Sequence, residues 1–330
     1  MSRKVRFGII GTNFISDWLL EASHEEPRFE PVAVCSRHQE TGENFALRHH
    51  IPHVFTSPEE MAASQWIDAV YIASPNSLHA RLSILFMKQG KHVLCEKPLA
   101  SNALEVKEMI KVSRQNKVTL MEAMKSTLTP NFRIVQQQIG NLGTIRRYFS
   151  CYCQYSSRYD QFKAGIIPNA FNPKYSNGAM MDLGIYTIYP MVVLFGQPQK
   201  IQASGLKLHT GVDGQGAVNF EYPGMNATIL YSKITNSDLP TEIQGEQGTL
   251  ILDRINTINQ IKLNLKGQSS RDLSLSPTHN EYYYEISEFI NLIENQQLES
   301  SINSHEHSLI SLQIIDEIRK QLGIIYPADS

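Results

Sequence analysis

The chain has 330 residues, 42% of them hydrophobic and 19% charged, and a formal net charge of −2. That length exceeds what one core usually supports, so two domains are expected, in an ordinary globular balance rather than a disordered one. A near-neutral charge without a basic stripe argues against nucleic acid or an anionic membrane surface as partner. No apolar run approaches 18 residues, which argues against a membrane span. Cys35, Cys95, Cys151 and Cys153 fit neither a disulfide framework nor a zinc site, so reduced thiols and a cytoplasmic protein are expected.

The first 125 residues alternate strand and helix patterns. Strands are predicted over 5–10, 29–35, 69–74, 92–95 and 119–123, and helices over 14–23, 39–49, 77–89 and 103–115. The strands are short and apolar nearly throughout, as strands buried on both faces should be. Ser57 followed by Pro58, Glu59 and Glu60 marks one more helix start. Repeated strand–helix units imply a doubly wound parallel sheet.

The first strand runs through Gly11, Thr12, Asn13, Phe14 and Ile15 into the first helix, the setting a dinucleotide fingerprint requires. Gly11 supplies the tight turn, but Asn13 and Ser16 stand where the fingerprint has glycines. Asn tolerates left-handed backbone, and Ser is small. The second strand ends in Ser36 and Arg37 rather than an acid. The fork of Arg37 suits a ribose 2′-phosphate, which argues for NADP(H) over NAD(H).

Ser74, Pro75, Asn76 and His79 leave the third predicted strand, and Glu96, Lys97 and Pro98 end the fourth. In such a sheet, ligands bind beyond the carboxyl ends of the strands, so both clusters fall on the ligand side. Pro98 cannot extend the ladder and biases Lys97 toward extended backbone, giving a lysine on a rigid support. Glu96 could hold a ribose or tune the charge of Lys97. His79 could equally be a packing or capping histidine.

After about residue 125 the pattern changes. A linking helix is predicted over 129–139, then a strand run rich in aromatics near 145–153. Further strands are predicted over 199–209, 217–222, 226–231, 241–245, 248–253 and 260–264, and terminal helices over 281–294 and 305–322. This describes a C-terminal α+β domain with a large, mostly antiparallel open sheet, the boundary falling between 125 and 126. His305 and His307 lie on different helix faces, so no metal site is expected.

Taken together, Gly11-Thr12-Asn13, Ser36-Arg37, the run Ser74 to His79, Glu96-Lys97-Pro98, Met121-Glu122-Ala123 and the stretch Gly178 to Tyr186 resemble the glucose–fructose oxidoreductase / inositol dehydrogenase / rhizopine-catabolism (Gfo/Idh/MocA) family. The form of the last motif, with Ser-Arg after the second strand, is most similar to the dimeric dihydrodiol / D-xylose dehydrogenase group. The resemblance implies a Rossmann domain over 1–125 and a substrate-binding and oligomerisation domain over 126–330. It implies an oxidoreductase using NADP, with NAD possible, on a sugar, cyclitol or dihydrodiol, and a homodimer or homotetramer through the second sheet. It implies Lys97, Asp182 and Tyr186 as the catalytic set, with Asn76 and His79 near the cofactor. Many relatives carry an Arg where this chain has Thr127, and Lys125 is the available substitute.

Elementary chemistry agrees with that set. Oxidation of an alcohol needs a base for the hydroxyl proton. A tyrosine with its ordinary pKa of about 10 is a poor base at neutral pH, and an adjacent ammonium lowers it. Lys97 and Tyr186 both remain candidates for carrying the proton, and Asp182 could orient the substrate or Lys97. Residues Phe162, Asn169, Phe171, Asn172 and Tyr175, in the segment 161–177, are expected to shape the substrate pocket. The alternative reading is a non-catalytic, dinucleotide-sensing regulatory protein of the same fold. A third is a scaffold using the open sheet.

Overall fold

A computed structural model describes residues 4–330 and resolves them into two compact units. The first contains the chain up to Lys125 together with Thr278–Ser308, and the second contains Ser126–Pro277 and Leu309–Ser330.

The first unit is a six-stranded parallel sheet built from β1 (Val5–Ile10), α1 (Phe14–Ser23), β2 (Phe29–Cys35), α2 (Gln39–His49), β3 (His53–Phe55), α3 (Pro58–Ala63), β4 (Ala69–Ile72), α4 (His79–Lys88), β5 (His92–Glu96), α5 (Ala103–Asn116) and β6 (Leu120–Ala123). The strand order is β3-β2-β1-β4-β5-β6, so the winding reverses between β1 and β4. That reversal opens a crevice at the carboxyl edge. Four consecutive buried residues make up β4, as expected for a strand covered on both faces. Three of the helix starts are capped as their sequences dictate. Asn13, Ser57 and Asn102 side chains accept from amides in the first turns of α1, α3 and α5. Two differences from the sequence reading are local. The edge strand β3 has three residues, too few to show a period, and β4 stops two residues before the predicted end at 74.

The second unit begins with α6 (Pro130–Gln138), capped by Thr129, and β7 (Ile145–Cys153). It continues through α7 (Tyr159–Lys163), α8 (Ile185–Phe195), β8 (Lys200–Lys207), β9 (Asp213–Tyr222), β10 (Met225–Ser232), β11 (Thr241–Gly245), β12 (Gly248–Leu252), β13 (Ile261–Leu265) and β14 (Arg271–Asp272). These strands form an eight-stranded sheet, β14-β13-β12-β11-β7-β10-β9-β8, antiparallel except between β7 and β10. One face is covered by α8, against which Tyr148, Ile229, Tyr231 and Ile243 are buried. The other face carries half-buried Phe149, Leu230 and Ile251 and exposed Leu206. The helical run Pro173–Phe195 is long and apolar enough to match a membrane span, with a window of mean hydropathy 1.4. Within that window 78% is buried inside the protein, the mark of a core helix, so the expectation that no run would be that apolar is corrected without implying a membrane.

The chain ends with α9 (Glu281–Glu294) and α10 (His305–Leu322), at the predicted bounds. The allegiance of α9 and of the first residues of α10 differs from the predicted boundary, since Thr278–Ser308 packs within the first unit. The physical reason is the apolar stripe Ile286, Phe289 and Ile290 of α9, each fully buried, with Phe289 against Phe7 of β1. The following loop covers the sheet edge: Leu120 N–H donates to Leu298 O, and Thr119 Oγ1 donates to Gln297 O.

Candidate active site

In the first unit, the proposed cofactor residues gather at the carboxyl edge of β1, β2, β4 and β5. Gly11 has φ +103°, and a Cβ there would lie 2.6 Å from the Ala73 carbonyl oxygen. Only glycine permits this approach of the turn after β1 to the end of β4. Asn13 joins the same two loops, its Nδ2 donating to Ala73 O at 2.7 Å. Its Oδ1 accepts from Ile15 N–H at 2.8 Å and Ser16 N–H at 3.4 Å, and Ser16 Oγ donates to Gly11 O at 2.8 Å. The missing fingerprint glycines are thus replaced by side chains that tie the turn together. Because the Ile15 amide donates to Asn13, a contribution of Ile15 to the cofactor comes through its side chain. Phe14 is half-exposed and edge-on to Trp18. Arg37 is exposed just past β2, and half-buried Ser36 donates its amide to Phe55 O. A glycine cradle at a helix N-terminus, with a guanidinium beyond the next strand, fits a phosphorylated dinucleotide.

The loop after β5 rests on two acids, half-buried Glu96 and buried Glu122. Glu96 Oε1 accepts from Tyr71 Oη at 2.6 Å, and its Oε2 accepts the Lys97 amide at 3.2 Å. Burial pushes the Glu96 carboxyl up, against the Tyr71 hydrogen bond and the ammonium groups of Lys97 and Lys125. Through the second of these contacts Glu96 supports the backbone of Lys97. The Lys97–Pro98 peptide is cis. Beyond it, the Leu99 amide donates to Glu122 Oε1 at 2.9 Å. Burial pushes the Glu122 carboxyl up to about 7, partly offset by Ser308 and that amide.

His79, for which the motif left open a packing role beside one near the cofactor, is packed against both loops. It is 1% exposed, with Nδ1 2.8 Å from Pro98 O and Nε2 2.9 Å from Ser74 O. Burial, and then the Lys97 ammonium, lower its pKa, so the neutral ring donates to one carbonyl at a time. His79 therefore clasps the loops after β4 and β5 from beneath. Ser74, Pro75 and Asn76 are half-buried, with Asn76 opening the 3₁₀ turn Asn76–Leu78 that displaces the predicted start of α4 to His79. Lys125 is no substitute for the absent Arg. It is ion-paired to Glu281 and lies 4.6 Å from the centre of the Tyr282 ring, which fastens α9. Thr127 itself is fully buried.

In the second unit, Asp182 and Tyr186 share one continuous helical run, but not a regular α-helix. Met180–Gly184 is π-wound, and α8 follows directly. Such turns are rare and cluster at functional sites. Asp213, 1% exposed, accepts from the Ala179 and Met180 amides at 3.0 and 2.8 Å and caps the run. A Cβ at Gly178 would lie 2.2 Å from Asp213 Oδ1, so only glycine fits beside that cap. Burial pushes the Asp213 carboxyl up, against the amides that favour its ionised form. Within α8, Pro190 cannot donate to the carbonyl of Tyr186, four residues earlier. Tyr186 is 9% exposed and meets the Tyr152 ring edge-on at 5.7 Å. Asp182 is 39% exposed, its Oδ2 accepting from Lys233 Nζ at 2.7 Å.

Sequence reasoning missed Lys233, just past the end of β10, and Asp213, which opens β9 before a glycine-rich stretch, and nothing in the local pattern distinguishes either from a surface residue. It also misplaced two aromatics. Phe162 and Phe171 are buried in a cluster with Ala170 and Val212, so they support the loop rather than line a pocket. His305 Nε2 and His307 Nδ1 bond the carbonyls of Leu120 and Ile302. Among the described residues, no three His, Cys, Asp or Glu side chains converge as metal ligands.

Comparison with known proteins identifies the family. The GFO_IDH_MocA oxidoreductase family, NAD-binding Rossmann fold, matches residues 5–124, and the GFO/IDH/MocA C-terminal domain matches residues 135–251. The chain is 47% identical to scyllo-inositol 2-dehydrogenase (NADP(+)) IolU of Bacillus subtilis (strain 168), over 98% of this chain and 99% of that one. It is 30% identical to trans-1,2-dihydrobenzene-1,2-diol dehydrogenase of Danio rerio, over 99% of each. A levoglucosan dehydrogenase solved with NADH and levoglucosan shares the fold, with a TM-score of 0.87 at 19% identity over 97% of this chain and 98% of that one. The chain therefore belongs to the Gfo/Idh/MocA family and is an NAD(P)-dependent oxidoreductase acting on CH–OH groups.

Proposed function

We propose that the protein is an NADP(H)-dependent dehydrogenase of polyhydroxylated small molecules that acts on a ring secondary alcohol of a cyclitol, with aldoses and trans-dihydrodiols as the other candidate substrates. The observation that carries this reading is the 47% identity, end to end, with an NADP(+)-dependent scyllo-inositol dehydrogenase, combined with Ser36-Arg37 after β2. When bound, the nicotinamide supplies the hydride acceptor for oxidation and the donor for reduction. The chain's own residues do the rest. The Gly11–Phe14 turn receives the pyrophosphate, Arg37 and Ser36 the 2′-phosphate, and the half-buried segment Ser74–Asn76 lines the same edge. Lys97, Asp182 and Tyr186 form the proposed catalytic set. Lys97 or Tyr186 takes the hydroxyl proton. Asp182 orients the substrate hydroxyls. In this division the first unit holds the cofactor, and the second binds substrate. The uncovered sheet face, with Phe149, Leu206, Leu230 and Ile251, contacts a second copy of the chain. A broad sheet with one apolar-flecked open face favours such pairing.

The test is nicotinamide absorbance with NADP⁺ or NAD⁺ and a panel of scyllo-inositol, myo-inositol, aldoses and a trans-dihydrodiol. A cyclitol is expected to give the highest kcat/KM, and NADP⁺ to exceed NAD⁺ by about tenfold or more. Oxidation of an aldose or dihydrodiol alone would overturn the cyclitol assignment. Preference for NAD⁺ would overturn the role of Arg37. Light scattering on the pure protein tests the second copy, and a monomer mass would remove it.

A further inference from the structure

Lys233 lies just past the end of β10, with a side chain only 3% exposed. An ammonium withdrawn from water is strongly unfavourable unless its donors are met. Three partners meet them here. Nζ is 2.7 Å from Asp182 Oδ2, 3.4 Å from the Ala170 carbonyl oxygen and 5.2 Å from the centre of the Phe171 ring. The first partner belongs to the π-wound turn that carries Asp182. The other two belong to the 3₁₀ turn Asn169–Phe171, in the segment expected to shape the substrate pocket. The pair is asymmetric, a buried cation beneath a carboxylate that is 39% exposed. Surface pairs with both ends in water contribute little. A buried cation under a half-open anion instead fixes where the anion stands. The surroundings reinforce this. Asp213 caps the start of the same turn, and Ile234, the next residue after Lys233, packs on the cluster that holds Phe162 and Phe171.

We propose that Lys233 is the positioning residue for Asp182, holding the carboxylate aimed, and tying it through Ala170 and Phe171 to the loop that selects the substrate. The proposal rests on Asp182 acting on the substrate. It adds that the catalytic geometry of the second unit is set by a lysine that touches neither substrate nor cofactor. Turnover should therefore depend on Lys233, while cofactor affinity should not.

The experiment compares wild type with Lys233→Met, Lys233→Arg, Asp182→Asn and the double variant Lys233→Met/Asp182→Asn. It reads kcat and KM with whichever panel substrate the wild type oxidises, and NADPH affinity by fluorescence. Lys233→Met is expected to lose about 10²-fold in kcat, with NADPH affinity within about twofold of wild type. Lys233→Arg, which keeps the charge, is expected to recover to within about tenfold of wild type, and the double variant to be no worse than Asp182→Asn. If Lys233→Met does not fold, Lys233→Arg and the double variant, which leaves no unpaired buried charge, carry the comparison. An inactive Asp182→Asn beside a fully active Lys233→Met would overturn the positioning role alone. So would losses that multiply in the double variant. An Asp182→Asn enzyme with wild-type turnover would overturn the role of Asp182 and this proposal together.

Discussion

The two units place their polar side chains by opposite means. In the first, Lys97 stands at a strand end, and the acids beside it, half-buried Glu96 and buried Glu122, have their carboxyl groups pushed toward the protonated form. In the second, Asp182 stands on a helix, half-exposed and paired to a buried ammonium. A parallel sheet supplies position through its topology, because every strand ends at the same edge. An open antiparallel sheet has no such edge, so the second unit needs specific contacts: the Asp213 cap, the π turn and Lys233. The difference teaches where precision is stored. The first unit keeps it in backbone and hydrogen bonds, and the second keeps it in charge.

Substitutions can break or sharpen that contrast. The largest effect is expected in the second unit. Tyr186→Phe removes only the phenol oxygen, so turnover should fall about 10³-fold with cofactor affinity unchanged. Steady-state kinetics beside NADPH titration would check this, and a wild-type kcat would return Tyr186 to the role of a core aromatic.

The next effect belongs to the first unit and reads its buried acids. Burial, the dominant cause, raises the Glu122 carboxyl from an ordinary 4.5 to about 7. The folded state thus holds the proton more tightly than the unfolded one. Its contribution is full below about 4.5 and is lost as the pH rises through about 7, by up to about 3 kcal/mol. Glu122→Gln keeps an acceptor for the Leu99 amide and should flatten that slope. Thermal melts between about pH 5 and 8 should show wild type losing ground to the variant as pH rises. Parallel curves would mean that Glu122 is ionised in the folded protein.

The smallest effect is at the edge of the crevice. Arg37→Ala should weaken NADPH binding about tenfold or more and leave NADH binding nearly unchanged. Equal losses for both cofactors would remove the 2′-phosphate from Arg37.

How much of this was legible in the sequence follows the same contrast. The strand–helix alternation, the Gly11 turn and the cluster around Lys97 could be read directly, because period and punctuation mark strand ends. The terminal helices were also legible in their bounds, but the allegiance of α9 was not. That Ile286, Phe289 and Ile290 would pack on β1 is a tertiary fact that an amphipathic stripe does not carry. His79 looked like a cofactor contact because of its motif, and only burial and two carbonyls revealed a clasp. Lys125 looked free for the cofactor until Glu281 and Tyr282 claimed it. The π turn and Lys233 were invisible, since each depends on residues distant in the chain.

The most direct measurement is a single turnover on Lys97→Met loaded with NADP⁺ and the best panel substrate, beside wild type, with cofactor affinity determined on the same samples. We expect NADP⁺ affinity within a fewfold of wild type and hydride transfer slowed by about 10³-fold or more. Transfer at the wild-type rate would remove Lys97 from the chemistry. Tight cofactor binding without turnover in wild type itself would favour a dinucleotide-sensing role.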